Sequence, residues 1–295
     1  MRRRPFLSWL GASALCAVAL ACRDAERQAP PKATAQRLVS LAPAVSETLF
    51  AIGAGPSVVA VSDYCDSPEE VQRLPRLGSS ITPNYEAIAR LSPTLILGES
   101  NASSRRRELE ALAPTRLLPW LTLQEIAASV RELGHLTRRE SSANALSASL
   151  LRRLDVPAPS SGPRVLLVLG GEGGDASDIW FIRRNSLHGA ALHAAGARNA
   201  VDEDVHGPPQ LSQERLLSLD PDAIVVLTRL PRNAAPTGVP AATSSPFQRF
   251  TTLRAVQQRR LAVLQAPEAF ANDPRILRLV DLLRAQLVGL GVLAR

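Results

Sequence analysis

The sequence predicts an α/β protein of two similar lobes with mostly parallel central sheets, bridged by long rigid helix, with a ligand cleft between the lobes. Three observations carry that expectation. One segment occurs twice, 128 positions apart: Asn84, Glu86, Leu91, Pro93 and Ile96 recur in register as Ser212, Glu214, Leu219, Pro221 and Ile224. Short apolar runs alternate with helical stretches in both halves, as a parallel sheet covered on both faces requires. Between the halves, Leu123 to Leu154 contains no proline and a single glycine, Gly134, which reads as a helix pair rather than a loose linker. Two such halves on a stiff connector rock only slightly, and the place between them suits ligand capture.

The first half opens with Leu38 to Ala42, a short apolar run suited to a buried strand. Ala44 to Ile52 follows as a helix stopped by Gly53, then Val58 to Val61 as a second strand and Ser62 to Thr82 as a loop. The repeated segment gives a helix capped by Asn84 and stopped by Pro93, before strands at Leu95 to Gly98 and Arg116 to Leu118. Gly134 is the expected break in the connector, whose alanine- and leucine-rich second part runs from Ser141 to Leu154. In the second half the same order returns: Val165 to Leu169 as strand, Ser186 to Ala195 as helix stopped by Gly196, and Ala200-Val201 as a short strand. The repeated helix then starts near Ser212, and strands fall at Ala223 to Leu227 and Leu261 to Leu264. Asp273 and Pro274 read as cap and first position of a final helix whose stripe is Ile276, Leu277, Leu279, Val280, Leu282 and Leu283. The expected boundaries are residues 37–122 for the first lobe, 123–160 for the connector and 161–295 for the second lobe. Pro231 to Pro246, rich in Pro, Ala, Thr and Ser, is expected as a mobile surface loop.

Residues 1–21 have the makeup of an export signal: Arg2 to Arg4, an apolar stretch from Phe6 to Leu20, and the small residue Ala21 before Cys22. That stretch is short for a membrane-spanning helix. Residues 22–36 are polar and proline-containing, as a flexible tether is. Cys16 belongs to the signal, so Cys22 and Cys65 remain, and stability must come from burial rather than an internal disulfide once Cys22 is modified. The formal charge of +7 loses Arg2 to Arg4 with the signal, leaving +4 spread over arginine-rich helices such as Arg105 to Arg107 and Arg138-Arg139. Without interleaved aromatics or a nucleic-acid motif these are solvated faces, and nucleic acid is excluded as a partner. About 260 residues past the tether are enough for two domains of ordinary size.

An enzyme is the main competing class. Gly170, Gly171, Gly173 and Gly174 follow a strand, but they lack the spacing and the lysine of a phosphate loop. Neither a Gly-x-Ser-x-Gly elbow nor a His-Glu-x-x-His helix occurs. A loop rimming the cleft accounts for the glycines. A lipoprotein that senses its ligand for a membrane kinase is the other alternative.

Arg37 to Pro43, Ser46-Glu47, Gly53, Val61 to Pro68, Leu74-Pro75, Gly78 and the Asn84 segment together resemble the substrate-binding proteins of ABC importers for cobalamin, iron siderophores and haem. The likeness spans essentially everything after the tether, and Ala19 to Cys22 resembles the bacterial lipoprotein box. It implies lipidation at Cys22, an exported and membrane-anchored monomer, no resident cofactor or metal, and a cobalt corrinoid or ferric chelate as the captured ligand. It also implies an ABC permease dimer with its ATPase as partner, docked through one glutamate per lobe, at Glu86 and Glu214. Their place in a first helical turn favours a carboxylate on physical grounds as well.

For the ligand site, the resemblance puts Tyr64 and Trp180 at aromatic positions of the cobalamin binders, where a ring lies flat on a macrocycle. Phe270 is counted with them. The binders' tryptophans fall at Ser80 and Glu99, and their acidic and basic residues near the last helix fall at Pro267 and Ala271. The iron-coordinating tyrosine of the haem members falls at Ser67, so haem ranks after corrinoid and siderophore. Cys65 and His206 carry atoms that bind cobalt or iron, although a bland structural role fits a lone residue in a loop better. His188 and His193 lie five apart on a helix, which is not a ligand-pair spacing, and His135 ends another helix.

Overall fold

The computed structural model describes residues 35–101, 104–157, 159–170, 179–205, 208–228, 230 and 245–294. Cys22, His206, the export signal, most of the tether, most of the expected glycine rim at 170–174 and most of the 231–246 loop lie outside the described residues. The unit Arg37–Arg295 contains both four-stranded sheets and a two-stranded one.

In the first lobe, β1 (Leu38–Ser40) leads into α1 (Pro43–Ala51), whose first position is the pre-organised Pro43 and whose end is turned by Gly53 at φ +81°. Then come β2 (Val58–Val61), α2 (Tyr85–Arg90), β3 (Leu95–Glu99), α3 (Arg106–Glu110) and β4 (Thr115–Leu118). The bridge is α4 (Leu123–Thr137) packed on α5 (Glu140–Leu154). The second lobe holds β5 (Arg164–Leu169), β6 (Ile179–Trp180), α6 (Leu187–Ala194), β7 (Arg198–Asn199), β8 (Gln210–Leu211), α7 (Gln213–Leu219), β9 (Ala223–Thr228), α8 (Arg254–Gln257), β10 (Leu261–Gln265) and α9 (Ile276–Gly289).

The two four-stranded sheets have one topology. Their strand orders, β2-β1-β3-β4 and β7-β5-β9-β10, correspond strand for strand, and every pairing within them is parallel. Alternation along the strands sorts side chains between cores. Leu38, Leu97, Leu167 and Val225 point into a central cluster that continues through Ile126, Leu133 and Leu150 of the bridge to Leu283 of α9. Val39 and Ile96 point into an outer cluster under α2, and Leu166 and Ile224 into another under α7. The repeated helices therefore cover equivalent outer faces, with Ile88 and Leu216 as their fully buried residues.

Three details differ from the expectation. Gly134 does not break the connector: it lies inside α4, where a Cβ would stand 2.3 Å from the Ala143 Cβ, so glycine is what lets the two helices approach. The chain turns instead at Arg138, in the left-handed region at φ 58°. The short strand falls at Arg198–Asn199 rather than Ala200-Val201, because it pairs with Arg164 and Val165 at the start of β5. The last helix begins at Ile276, since the Asp273 carboxylate accepts from the Arg275 N–H two residues on and holds a turn ahead of it.

Candidate functional site

Parallel strands end together, so each lobe has one carboxyl edge. The two edges face one another. Trp120, just after β4, donates its Nε1–H to the Asn272 carbonyl at 2.6 Å, and Arg275 donates to Glu47 Oε1 of α1 at 2.6 Å. Both contacts join the first lobe to the segment after β10. The segments after β1, β4 and β10 thus meet at the lobe boundary, where Ser67 and Pro68 of the loop after β2 line one cavity with Asp273 and Arg275.

The loop after β2 is built to present Tyr64. Asp63 and Gly78 pair, with the Asp63 N–H on the Gly78 carbonyl and the Gly78 N–H on Asp63 Oδ1, both at 2.9 Å. Gly78 sits at φ +77°, and a Cβ there would meet the Thr82 carbonyl oxygen at 2.0 Å. Arg76 donates to the carbonyls of Ser62 and Cys65. With its backbone tied on both sides, Tyr64 stands 69% exposed. In the second lobe, antiparallel pairing of β6 with β8 turns Trp180 outward, 41% exposed, while Phe181 bridges to Val168 and is buried. Alternation along the strand thus separates the presented ring from the core ring.

The other site residues divide by burial. Glu99 ends the central strand β3 half-buried, and desolvation raises its carboxyl above the ordinary range. Phe270 closes a 3₁₀ turn at Pro267–Phe270 and packs partly against the central core. Ser80 is buried, its carbonyl accepting from the Arg105 N–H, and is not offered to a ligand. Cys65 is also buried, with its sulfur 3.1 Å from Ser46 Oγ and its thiol pushed up by burial, so the thiolate a metal needs is disfavoured there. His188 is a core residue whose Nε2 lies 3.1 Å from the Ala269 carbonyl oxygen, and burial lowers its pKa. Among the described residues, no group of three or more His, Cys, Asp or Glu is arranged to hold a metal ion.

The helices carrying the paired glutamates are capped as expected. Asn84 Oδ1 accepts from the Ala87 N–H at 3.1 Å, and Ser212 Oγ accepts from the Arg215 N–H at 3.2 Å. Each helix runs back along its sheet to the strand that follows, so its N-terminus lies at the carboxyl edge. Glu86 and Glu214 are both exposed on that first turn. Glu86 pairs with Arg90 at 2.5 Å, whereas its own backbone N–H and then the Ser212 hydroxyl hold the Glu214 carboxyl below the usual range.

Residues 38–268 of a chain with this architecture match the family described as periplasmic binding protein. The protein belongs to the periplasmic binding protein family. It is 29% identical over 231 residues to a vitamin B12-binding protein of Pectobacterium carotovorum subsp. carotovorum (strain PC1), covering 75% of this chain and 77% of that one. The vitamin B12-binding protein of Salmonella typhimurium is 26% identical over 199 residues, covering 65% and 72%. Among solved structures, the periplasmic vitamin B12 binding protein BtuF of Vibrio cholerae superposes with a TM-score of 0.66 at 24% identity, over 87% of this chain and 98% of that one. A periplasmic heme binding protein from Pseudomonas aeruginosa gives the same TM-score, 0.66, at 25% identity over 85% and 91%. As a periplasmic binding protein this chain is an exported solute-binding component of the ABC importer class, works with a permease and its ATPase, and is not an enzyme.

Two sets of residues at the lobe boundary escape sequence reasoning. Glu47 enters only as part of a family segment and Asp273 only as a helix cap, yet both meet on Arg275. The Arg275 Nη2 donates to Glu47 Oε1 at 2.6 Å and to Asp273 Oδ2 at 3.0 Å, and its Nε donates to Asp273 Oδ1 at 3.1 Å. Burial, reinforced by the charge of Asp273 and a hydrogen bond with it, raises the Glu47 carboxyl to about 9. Trp120 is the other, and no local pattern marks a residue whose partner is Asn272.

Proposed function

We propose that the protein captures a corrinoid of the cobalamin type between its lobes and delivers it to the importer's permease. The observation that carries this reading is the pair of exposed aromatics, Tyr64 and Trp180, one from each lobe's carboxyl edge, on a chain whose relatives include vitamin B12-binding proteins. A corrin presents a broad apolar face, and a ring on either side stacks on it without needing a metal ligand from the protein. Glu99 and Phe270 complete the lining in this reading, with Glu99 accepting from a peripheral amide of the ligand. Cys65 and Ser80 take no part, since both are buried.

Glu86 and Glu214 are the docking residues. Exposed carboxylates on the first turns of two equivalent helices, one on each lobe, match a two-fold partner that presents basic pockets. The proposal includes lipid attachment at Cys22, a tether over residues 22–36 and a monomeric binding protein without a resident cofactor.

Titration of the purified protein with cyanocobalamin, cobinamide, haem and a ferric siderophore tests the ligand. Corrinoid binding that weakens at least tenfold in Tyr64→Ala is expected for a stacked ring; binding of only the siderophore or haem overturns the corrinoid reading. Reversal of both charges, Glu86→Arg with Glu214→Arg, is expected to abolish uptake while binding in solution stays intact. Unchanged uptake would remove the docking assignment.

A further inference from the structure

We propose that Glu47, Asp273 and Arg275 are positioning residues for the ligand cleft, sharing one proton across the lobe boundary so that capture weakens as the medium turns alkaline. The inference rests on the cleft reading above.

Two carboxyls meet one guanidinium here, and the side chains of Glu47 and Asp273 are only 6% and 3% exposed. Arg275 embraces Asp273 with Nε and Nη2, and its backbone N–H donates to Asp273 Oδ1 at 2.8 Å. That bidentate contact neutralises Asp273. Glu47 is then left with a single 2.6 Å contact to the same guanidinium and with a carboxyl of like charge beside it. An uncompensated buried carboxylate is costly, so the proton stays on Glu47 and bridges to Asp273. Asp66, in the loop after β2, adds further negative charge, and Glu70 lines the same cavity of about 330 Å³, through which solvent reaches the group.

The latch acts on the segment from Pro267 to Arg275. Trp120 holds Asn272, His188 holds Ala269, and Glu47 holds Arg275, so two of these three anchors come from other elements across the boundary. Phe270 lies inside that segment. The proton on Glu47 therefore bears on a ring of the proposed lining without touching the ligand.

The direction follows from linkage. With the lobes parted, Glu47 is solvated and titrates near its ordinary 4.5; with them packed it titrates near 9. Below the lower value both forms are protonated and the latch contributes fully. Between the two values the parted form ionises first, and each pH unit disfavours the packed form by at most about tenfold. Above the higher value both are ionised and the contribution is gone. His188, buried behind the same segment and facing Asp273, is pushed the other way and loses its contribution in acid. A comparison with Glu47→Gln isolates the latch, because glutamine stays neutral at every pH.

Hydrogen exchange of the segment's amides and thermal melting, on the full chain without ligand between about pH 6 and 9, give the direct test. Protection in the wild type is expected to fall by up to about tenfold per unit relative to Glu47→Gln; parallel profiles overturn the proposal. Infrared spectra of the wild type, compared with the variant or alone if the variant does not fold, should show a protonated carboxyl at neutral pH, and its absence also overturns it. Cyanocobalamin binding separates the two readings. Divergent profiles in a protein that binds no cyanocobalamin sustain the latch and sink the corrinoid assignment, while tight binding with parallel profiles does the reverse.

Discussion

The two copies of the duplicated segment end their helices in the same way but with different chemistry. In each, the residue before the proline adopts a left-handed conformation, Ser92 at φ 44° and Asp220 at φ 39°. In each, an arginine at the start of the lobe's first strand, just before β1 in one lobe and opening β5 in the other, donates to a carbonyl at the end of the helix: Arg37 to Leu91 at 2.7 Å, and Arg164 to Leu219 at 3.0 Å. Its backbone N–H is in turn accepted by Thr94 Oγ1 at 2.9 Å or Asp222 Oδ2 at 2.8 Å. The second copy adds more ties. Arg164 also reaches the Ala200 carbonyl, and Arg254 fixes Asp220 through its N–H, Nε and Nη2. The duplication has kept a backbone solution, a cation on a helix C-terminus, and varied how firmly it is pinned.

The sharpest way to break that comparison is to remove both arginines. Arg164→Ala is expected to cost about 2 kcal/mol, because charge-assisted hydrogen bonds to two carbonyls of a part-buried site are lost, while the exposed Arg37→Ala should cost less than about 1 kcal/mol. Urea midpoints compare them, and equal losses would mean that the firmer pinning of the second copy has no energetic content. Next come the caps. Asn84→Ala and Ser212→Ala should each cost about 1 kcal/mol, and a response from only one copy in the same denaturation experiment would end their equivalence. The smallest effect belongs to the pair that has no counterpart. Arg90→Ala should change stability by only about 0.3 kcal/mol, yet it releases Glu86, so permease-stimulated ATP hydrolysis is expected to rise modestly; no change would mean that Arg90 does not compete with the permease for Glu86.

Much of the fold was legible because it is periodic. Alternating apolar runs, glycine stops at Gly53 and Gly196, and prolines after the repeated helices all act within a few residues of where they are read. Contacts between distant segments were not legible. Gly134 reads as a break because glycine lowers helix propensity, and only the packing of Ala143 against it reveals the opposite role. Cys65 and Ser80 sit in a loop, where exposure is the default, and are buried because Arg76 and the Asp63–Gly78 pairing fold that loop back onto the sheet. The split between Trp180 and Phe181 needed β8 as a partner, which is two residues long and carries no strand pattern of its own. Asp273 reads as a local cap, yet it shares the Arg275 guanidinium with Glu47, more than two hundred positions away.

The central cluster crosses both lobes and the helical bridge without interruption. A chain that looks like two domains therefore has no second fold to fall back on: losing either sheet strips apolar cover from the other. Unfolding is then expected as a single cooperative event, with a destabilising change at the far end of one lobe felt as a lower melting point of the whole.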